Sequence, residues 1–364
     1  MAEYIILYLI YLFAAFFGMF APEEQREEVR RYQNLICFIC LVVLLMFRHQ
    51  SMGIDLQWKN ESKYIGYLPL FDKIAKSPFK RIFTFYKSSY SYETGFMVYV
   101  KLVSMVSNDR QFFIGITSFL CLFPIWILFD KKSKNPVLAW VIYIGMPPFQ
   151  LLFSTLRQSM AIGIAALVYI WAEDRKWFRC ILAGLVAFSL HTSAVLLLLV
   201  YPAVNIYTGK KLRFAMLCSL LCVWAFKDVL ILAALKVFPQ YSYMFQTEAN
   251  AYRFFAVLIL IYIMLCLSTD ESRSQNAYMN LFFLSCAFQI LGMFSNVAAR
   301  AGYYFSNALC IILPNILSTM KIKENARLIE FGTAVAFSVY GLLCIYTSGW
   351  AQCYPYYWCW EYVA

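Results

Sequence analysis

Apolar runs of membrane-span length, separated by short polar connections, follow one another along this chain. Runs near 3–20, 32–47, 111–129, 137–153, 156–172, 212–236, 252–268, 278–295, 301–319 and 328–347 approach the roughly 20 apolar residues a helix needs to cross a hydrocarbon core. The stretch 178–206 is too long for one span, and Ser189 and His191 interrupt it with polar atoms. It reads as two short helices meeting in a turn at His191, which brings the expected total to about twelve spans. Residues 93–107 are short and bounded by charge at Glu93 and Asp109, with Lys101 inside. They predict an amphipathic helix lying in the interface or re-entering it, preceded by one longer extracytoplasmic loop at 48–92. The expected fold is an all-α, polytopic transmembrane helix bundle forming a single domain over 1–364.

Basic residues test that arrangement. Arg26/Arg30/Arg31, Lys131/Lys132/Lys134, Arg175/Lys176/Arg179, Lys210/Lys211/Arg213 and Lys321/Lys323/Arg327 each fall in a connection. With a break at His191 all five lie on one side, as the positive-inside rule requires; without it the later clusters change sides. The loop 48–92 also holds eight Lys/Arg, which on charge alone opposes its external placement.

Composition agrees with the class. Hydrophobic residues make up 62% and charged residues 14%, too few polar groups to cover a soluble core. Met1–Phe20 lacks a basic leading region and a small-residue cleavage site, so it reads as a retained span. The net charge of +11 sits in small inter-span clusters, which argues against nucleic acid as a partner. Most of the twelve cysteines lie inside apolar runs, and no CxxC pair has histidine partners, so a zinc site is not expected. A disulfide between Cys353 and Cys359, in the aromatic tail, stays open.

Several polar residues stand where a bilayer disfavours them. Arg157 opens the run 156–172, His191 precedes 192–206, Arg253 opens 252–268 and Arg300 precedes 301–319. On the expected topology all four sit at helix N-termini on one face. Such ends present unpaired N–H groups and partial positive charge, and an arginine fork adds bidentate phosphate binding. The simpler alternative for each arginine is snorkelling to lipid headgroups, which suits Arg253 best. His191 is one of two histidines, with polar neighbours, and titrates where proton transfer is useful. His49 reads as interfacial. Asp55 and Glu93 are the candidate acids, as general bases or as ligands for sugar hydroxyls, with solvated loop acids as the alternative. Tyr64, Tyr67, Tyr86, Tyr90 and Tyr92 suit stacking on sugar rings or anchoring at the interface.

In order, Arg48…Gly53-Ile54-Asp55, Tyr92-Glu93-Thr94-Gly95-Phe96, Leu156-Arg157-Gln158-Ser159-Met160-Ala161, Phe188-Ser189-Leu190-His191-Thr192-Ser193-Ala194 and Ala299-Arg300-Ala301-Gly302-Tyr303-Tyr304-Phe305 resemble the EpsG family of bacterial exopolysaccharide and capsule proteins, related to Wzy-type polymerases. The resemblance covers most of the chain. The family pattern carries Thr before the early aspartate and Tyr soon after it, where Ile54 and Trp58 stand here.

The resemblance implies a multi-pass protein of the bacterial inner membrane that polymerises undecaprenyl-pyrophosphate-linked oligosaccharide repeat units at the outer face. Products would be capsular, exopolysaccharide or O-antigen chains, and partners the lipid-linked oligosaccharides and the bilayer. A chain-length regulator and a flippase of the same pathway are further candidate partners. Arg157, Arg300, Arg253 and Arg48 would bind the pyrophosphate, and His191, Asp55 or Glu93 would accept the hydroxyl proton. No carboxylate cluster suits a divalent cation, so a metal-independent transfer without cofactor is expected. A flippase for the same lipids is the main alternative, although the two halves show no internal repeat. An acyltransferase decorating the polymer is a third.

Overall fold

The computed structural model describes residues 1–57, 65–237, 252–266, 272–293, 296–319, 323–347 and 349–362. Trp58, Tyr64 and Lys321 lie outside the described residues, as do the side chains of Lys210, Arg253 and Lys323. Among the described residues the regular structure is helical, with one isolated bridge between Arg48 and Trp358.

Among the described residues, four helices are long and apolar enough to cross a membrane: Ala2–Met19, Arg26–Met46, Arg110–Lys132 and Ala326–Thr347. Pro136–Ile144 and Pro147–Ser154 add a fifth if taken as one span, but they are bent by 68°. Pro147 and Pro148 supply no N–H, and Pro147 holds Met146 in extended backbone, so the run 137–153 breaks there. The described residues thus support four or five clear spans and not the expected twelve. The remaining apolar runs are shorter helices or carry inward-facing polar groups. Trp177–Leu190 has 14 residues. Arg273–Gly292 buries Gln275, Asn276, Asn280 and Gln289.

Many apolar side chains point outward. Phe13, Phe16 and Phe17 on the first helix, and Leu328, Val339 and Leu343 on the last, are exposed. A soluble surface rarely presents such faces contiguously, and these suit lipid. Inside, polar groups join helices: the Trp140 indole donates to Asn34 Oδ1 at 2.7 Å, and the Tyr169 hydroxyl donates to the Tyr304 carbonyl at 2.6 Å.

Polar contacts define one end of the bundle. Lys132, closing its helix, pairs with Glu173, closing Leu156–Glu173, at 3.0 Å. Arg273 donates to the Glu173 carbonyl and to Asn205. Arg213 reaches Asn276, and Arg327 donates to the carbonyl of Met19, where the first helix ends. The described members of the basic clusters therefore gather at this end, and Arg157, opening Leu156–Glu173, lies at the other.

The expected break at His191 is present. Trp177–Leu190 ends at His191, whose backbone is extended (φ −156, ψ 121), and a 3-10 helix, Thr192–Leu199, continues into Val200–Asn205. Asn205 Nδ2 donates to the Ala172 carbonyl, so the second arm returns to the basic end.

The segment 48–92 is not a plain loop: it contains the helix Tyr67–Ala75 and a π-helical turn at Ile82–Tyr86. Thr94–Val106 is a helix, and Lys101 on it caps Tyr67–Ala75 by donating to the Ile74 and Ala75 carbonyls at 3.3 and 3.2 Å. Gly53 adopts φ +103 against the Phe153 carbonyl, a place no side chain could occupy. The Ile54 N–H then donates to Ser154 Oγ at 3.2 Å, pinning the Asp55 segment next to the helix that carries Arg157.

Arg48 departs from expectation. It is 0% exposed, with Nη1 donating to the Leu45 carbonyl and Ser118 Oγ, each at 3.3 Å, and its guanidinium 5.3 Å from the Phe153 ring. The aromatic tail closes over this segment: His49 N donates to the Tyr357 carbonyl and Cys359 N to the Phe47 carbonyl. A side chain sealed this way cannot meet a pyrophosphate. Cys353 and Cys359 are both free thiols, so the open disulfide is not formed.

Candidate active site

Glu93 is the N-cap of Thr94–Val106 but makes no side-chain cap bond to its own helix. Its carboxylate instead spans two distant segments. Oε2 forms an ion pair with Arg157 Nη1, while Oε1 accepts from His191 Nδ1 at 3.1 Å and from the Thr192 N–H at 2.9 Å. The Thr192 N–H is an orphan donor at the start of a helical segment, and Glu93 caps it from another helix. That outside cap stabilises the break at His191.

Close approach makes the arrangement possible. A side chain at Gly95 would place its Cβ 2.6 Å from both Cβ and the carbonyl oxygen of Ser189. Only a hydrogen fits, and so Glu93 can reach the His191 turn. Gly95→Ala is expected to part these two segments and cut turnover roughly a hundredfold, the usual scale of a 1 Å misplacement, at normal membrane levels. Ser189→Gly in the same chain, which removes the side-chain half of the clash, should restore part of it. Unchanged turnover in Gly95→Ala would show that the Glu93–His191 contact is not needed.

Electrostatics assign different characters to the three candidate bases. Burial pushes the Glu93 carboxyl up, but the His191 hydrogen bond, the Arg157 charge and the Thr192 N–H outweigh it and hold it at about 2. A carboxylate so stabilised is a weak base. Burial lowers His191 below its ordinary value; the Glu93 hydrogen bond opposes this and the Arg157 charge adds to it. The imidazole is therefore neutral at neutral pH. An ionised Glu93 only accepts, so Nδ1 carries the proton and Nε2 keeps its lone pair. Burial raises Asp55, against the lowering charges of Arg300 and Arg157.

The two arginines are held differently. Arg157 lies over the Tyr92 ring at 4.5 Å and the Tyr67 ring at 5.9 Å, with Nε donating to Tyr67 OH at 3.4 Å. Arg300 Nε donates to Gln158 Oε1 at 2.8 Å, and Gln158 Nε2 returns a bond to the Arg300 carbonyl at 2.9 Å. Among the described residues no carboxylate pairs with Arg300, so its two terminal nitrogens remain available. Arg300 does not open its helix, which begins at Asn296. Its claim on an anion rests on the oriented guanidinium and not on helix-end amides. Arg157 is the second residue of Leu156–Glu173, as expected. Arg253 is the second residue of Tyr252–Cys266, with its side chain outside the described residues.

Expectations for the tyrosines change. Tyr67 and Tyr86 are buried, so neither offers a face to a sugar. Tyr67 supports Arg157 from within, and Tyr86 stacks on Tyr90. Gln158 and Thr192 were not singled out by residue type, although both stand inside quoted motifs. Ser193 Oγ meets Tyr304 OH at 3.0 Å, tying the His191 turn to the helix of Arg300. Among the described residues no three His, Cys, Asp or Glu side chains converge where a metal ion could sit.

The site thus combines a neutral imidazole aimed by a carboxylate, two oriented guanidinium groups and a further, half-buried acid, Asp55. Such a set can take a proton and bind a multiply charged anion. No curated protein and no solved structure matches the chain. The EpsG family model matches residues 32–358, which include every motif and every side chain of this site. The chain belongs to the EpsG family, the family of Wzy-type polysaccharide polymerase-like proteins, and so to a membrane polysaccharide polymerase-like role.

Proposed function

We propose that this protein joins undecaprenyl-pyrophosphate-linked oligosaccharide repeat units into a longer glycan at the outer face of a bacterial inner membrane. The observation that carries the reading is the Glu93 bridge, with His191 on one carboxylate oxygen and Arg157 on the other. An acceptor sugar hydroxyl gives its proton to His191 Nε2 as its oxygen bonds to the anomeric carbon of the growing chain. The bond from that carbon to the lipid pyrophosphate breaks, and the electron pair leaves with the pyrophosphate. Arg157 and Arg300 neutralise the charge that develops there. Glu93 is a positioning residue that fixes the imidazole tautomer, and Asp55, in the field of both arginines, binds the incoming sugar.

Purified protein in liposomes, given lipid-pyrophosphate-linked repeat units, should release a ladder of glycans on lipid. Parallel measurement of labelled substrate crossing the bilayer separates polymerisation from transport. Translocation without a ladder would replace this reading with a flippase.

A further inference from the structure

A polar cavity lies at the basic end of the bundle, away from Glu93. It measures about 120 Å³ and is lined by Arg26 and Arg30 from the second helix, Arg327 and Glu330 from the last, and Gln33 and Asn135. Three arginines face one carboxylate. Glu330 Oε2 accepts from Asn135 Nδ2 at 2.8 Å, and Arg327 Nη1 caps the first helix at the Met19 carbonyl at 3.0 Å. The three arginines are thus carried near the starts of two helices and not scattered over a loop. The polymerase reading uses none of these residues.

The surroundings indicate what such a cavity would take. Ala15 and Gly18 also line it, and between them Phe16 turns outward to meet Phe331, the neighbour of Glu330, at 6.0 Å between ring centroids. Phe17, Phe20 and Leu328 are exposed beside it. A net positive cavity at a helix end, flanked by exposed apolar side chains, matches an amphiphile with an anionic phosphate head and acyl chains. A free phosphate would use the arginines but not the apolar flank.

We infer that the cavity between Arg26, Arg30 and Arg327 binds the headgroup phosphate of an anionic phospholipid, tying the first, second and last helices together at the basic end. The site is independent of the polymerase chemistry and would stand if that reading failed.

The test uses purified full-length protein in mixed phosphatidylglycerol and phosphatidylcholine, with retained lipid counted by native mass spectrometry. Wild type should keep phosphatidylglycerol in preference to phosphatidylcholine. Arg30→Gln with Arg327→Gln should reduce the retained fraction roughly tenfold or more, the loss of two phosphate-facing charges. Arg31→Gln, which removes an exposed arginine already paired with Glu27 at 2.7 Å, should change nothing. Glu330→Gln removes the opposing charge at nearly constant size and should raise retention roughly fivefold. That opposite sign cannot come from misfolding, so this variant decides the matter if the double variant is unstable. Equal retention of the two lipids, an unchanged double variant, or no rise with Glu330→Gln overturns the proposal. Displacement of the lipid by millimolar inorganic phosphate overturns the lipid assignment in favour of a free anion.

Discussion

Replacing His191 by glutamine is expected to leave protein in the membrane at normal levels and to remove long polymer almost entirely. A positioned general base contributes about a hundredfold to ten-thousandfold, and glutamine keeps the approximate size and a hydrogen-bonding group but has no basic nitrogen to take up a proton. Binding of lipid-linked substrate should survive, because both arginines remain. The wild-type pH profile carries the sign. Burial first, then the Arg157 and Arg300 charges, lower the His191 imidazole below the ordinary value of 6.5, against the Glu93 hydrogen bond. Activity should therefore persist below the usual histidine range and fall only as the pH drops through that lowered value, when Nε2 takes up a proton. Glu93→Gln removes the hydrogen-bonded carboxylate that raises His191, so the acid limb should move to still lower pH while the maximal rate falls. Folding responds as well. The stability Glu93 contributes is fully present above the ordinary carboxyl value of 4.5 and is lost as the pH falls toward about 2. A His191→Gln chain that polymerises at the normal rate would make His191 structural and leave Asp55 as the base.

Lysine at position 157 or 300 should be nearly as damaging as removal of the side chain. Each charge-assisted arginine–phosphate contact is worth about 1.5–3 kcal/mol, so a loss of roughly tenfold to a hundredfold is expected per site. Lysine keeps the charge but has no planar fork. At 157 it would also give up the packing over Tyr92 and the bond to Tyr67 while competing for Glu93. At 300 it would lose the exchange with Gln158 that fixes the guanidinium, and Gln158→Ala should reproduce part of that loss with the arginine intact. The readout is polymer length and rate at matched protein levels. Near-wild-type polymer from both lysine variants would end the case for a two-arginine pyrophosphate pocket.

Much of the architecture was legible in the residues themselves. Hydrophobic runs located the helices, and the length of 178–206 with its polar interruption located the turn at His191. Charge clustering anticipated the basic end. The quoted motifs contained the residues that meet, because glycine and small polar residues mark places where backbones approach or reverse.

Counting spans from apolar length was less secure. Length does not register a proline pair that bends a run by 68°, nor polar side chains turned inward along Arg273–Gly292. Which ionisable groups share a site was decided only by tertiary packing. Glu93 and His191 lie 98 residues apart, and Arg157 and Glu93 lie 64 apart; nothing periodic links them. Arg48 and Arg157 look alike as arginines at helix ends, yet one is sealed beneath the aromatic tail and the other faces Glu93. Local pattern determines which face of a helix is apolar. Desolvation and pairing of a charge depend on what other helices bring against it, and that information exists only once the chain has folded.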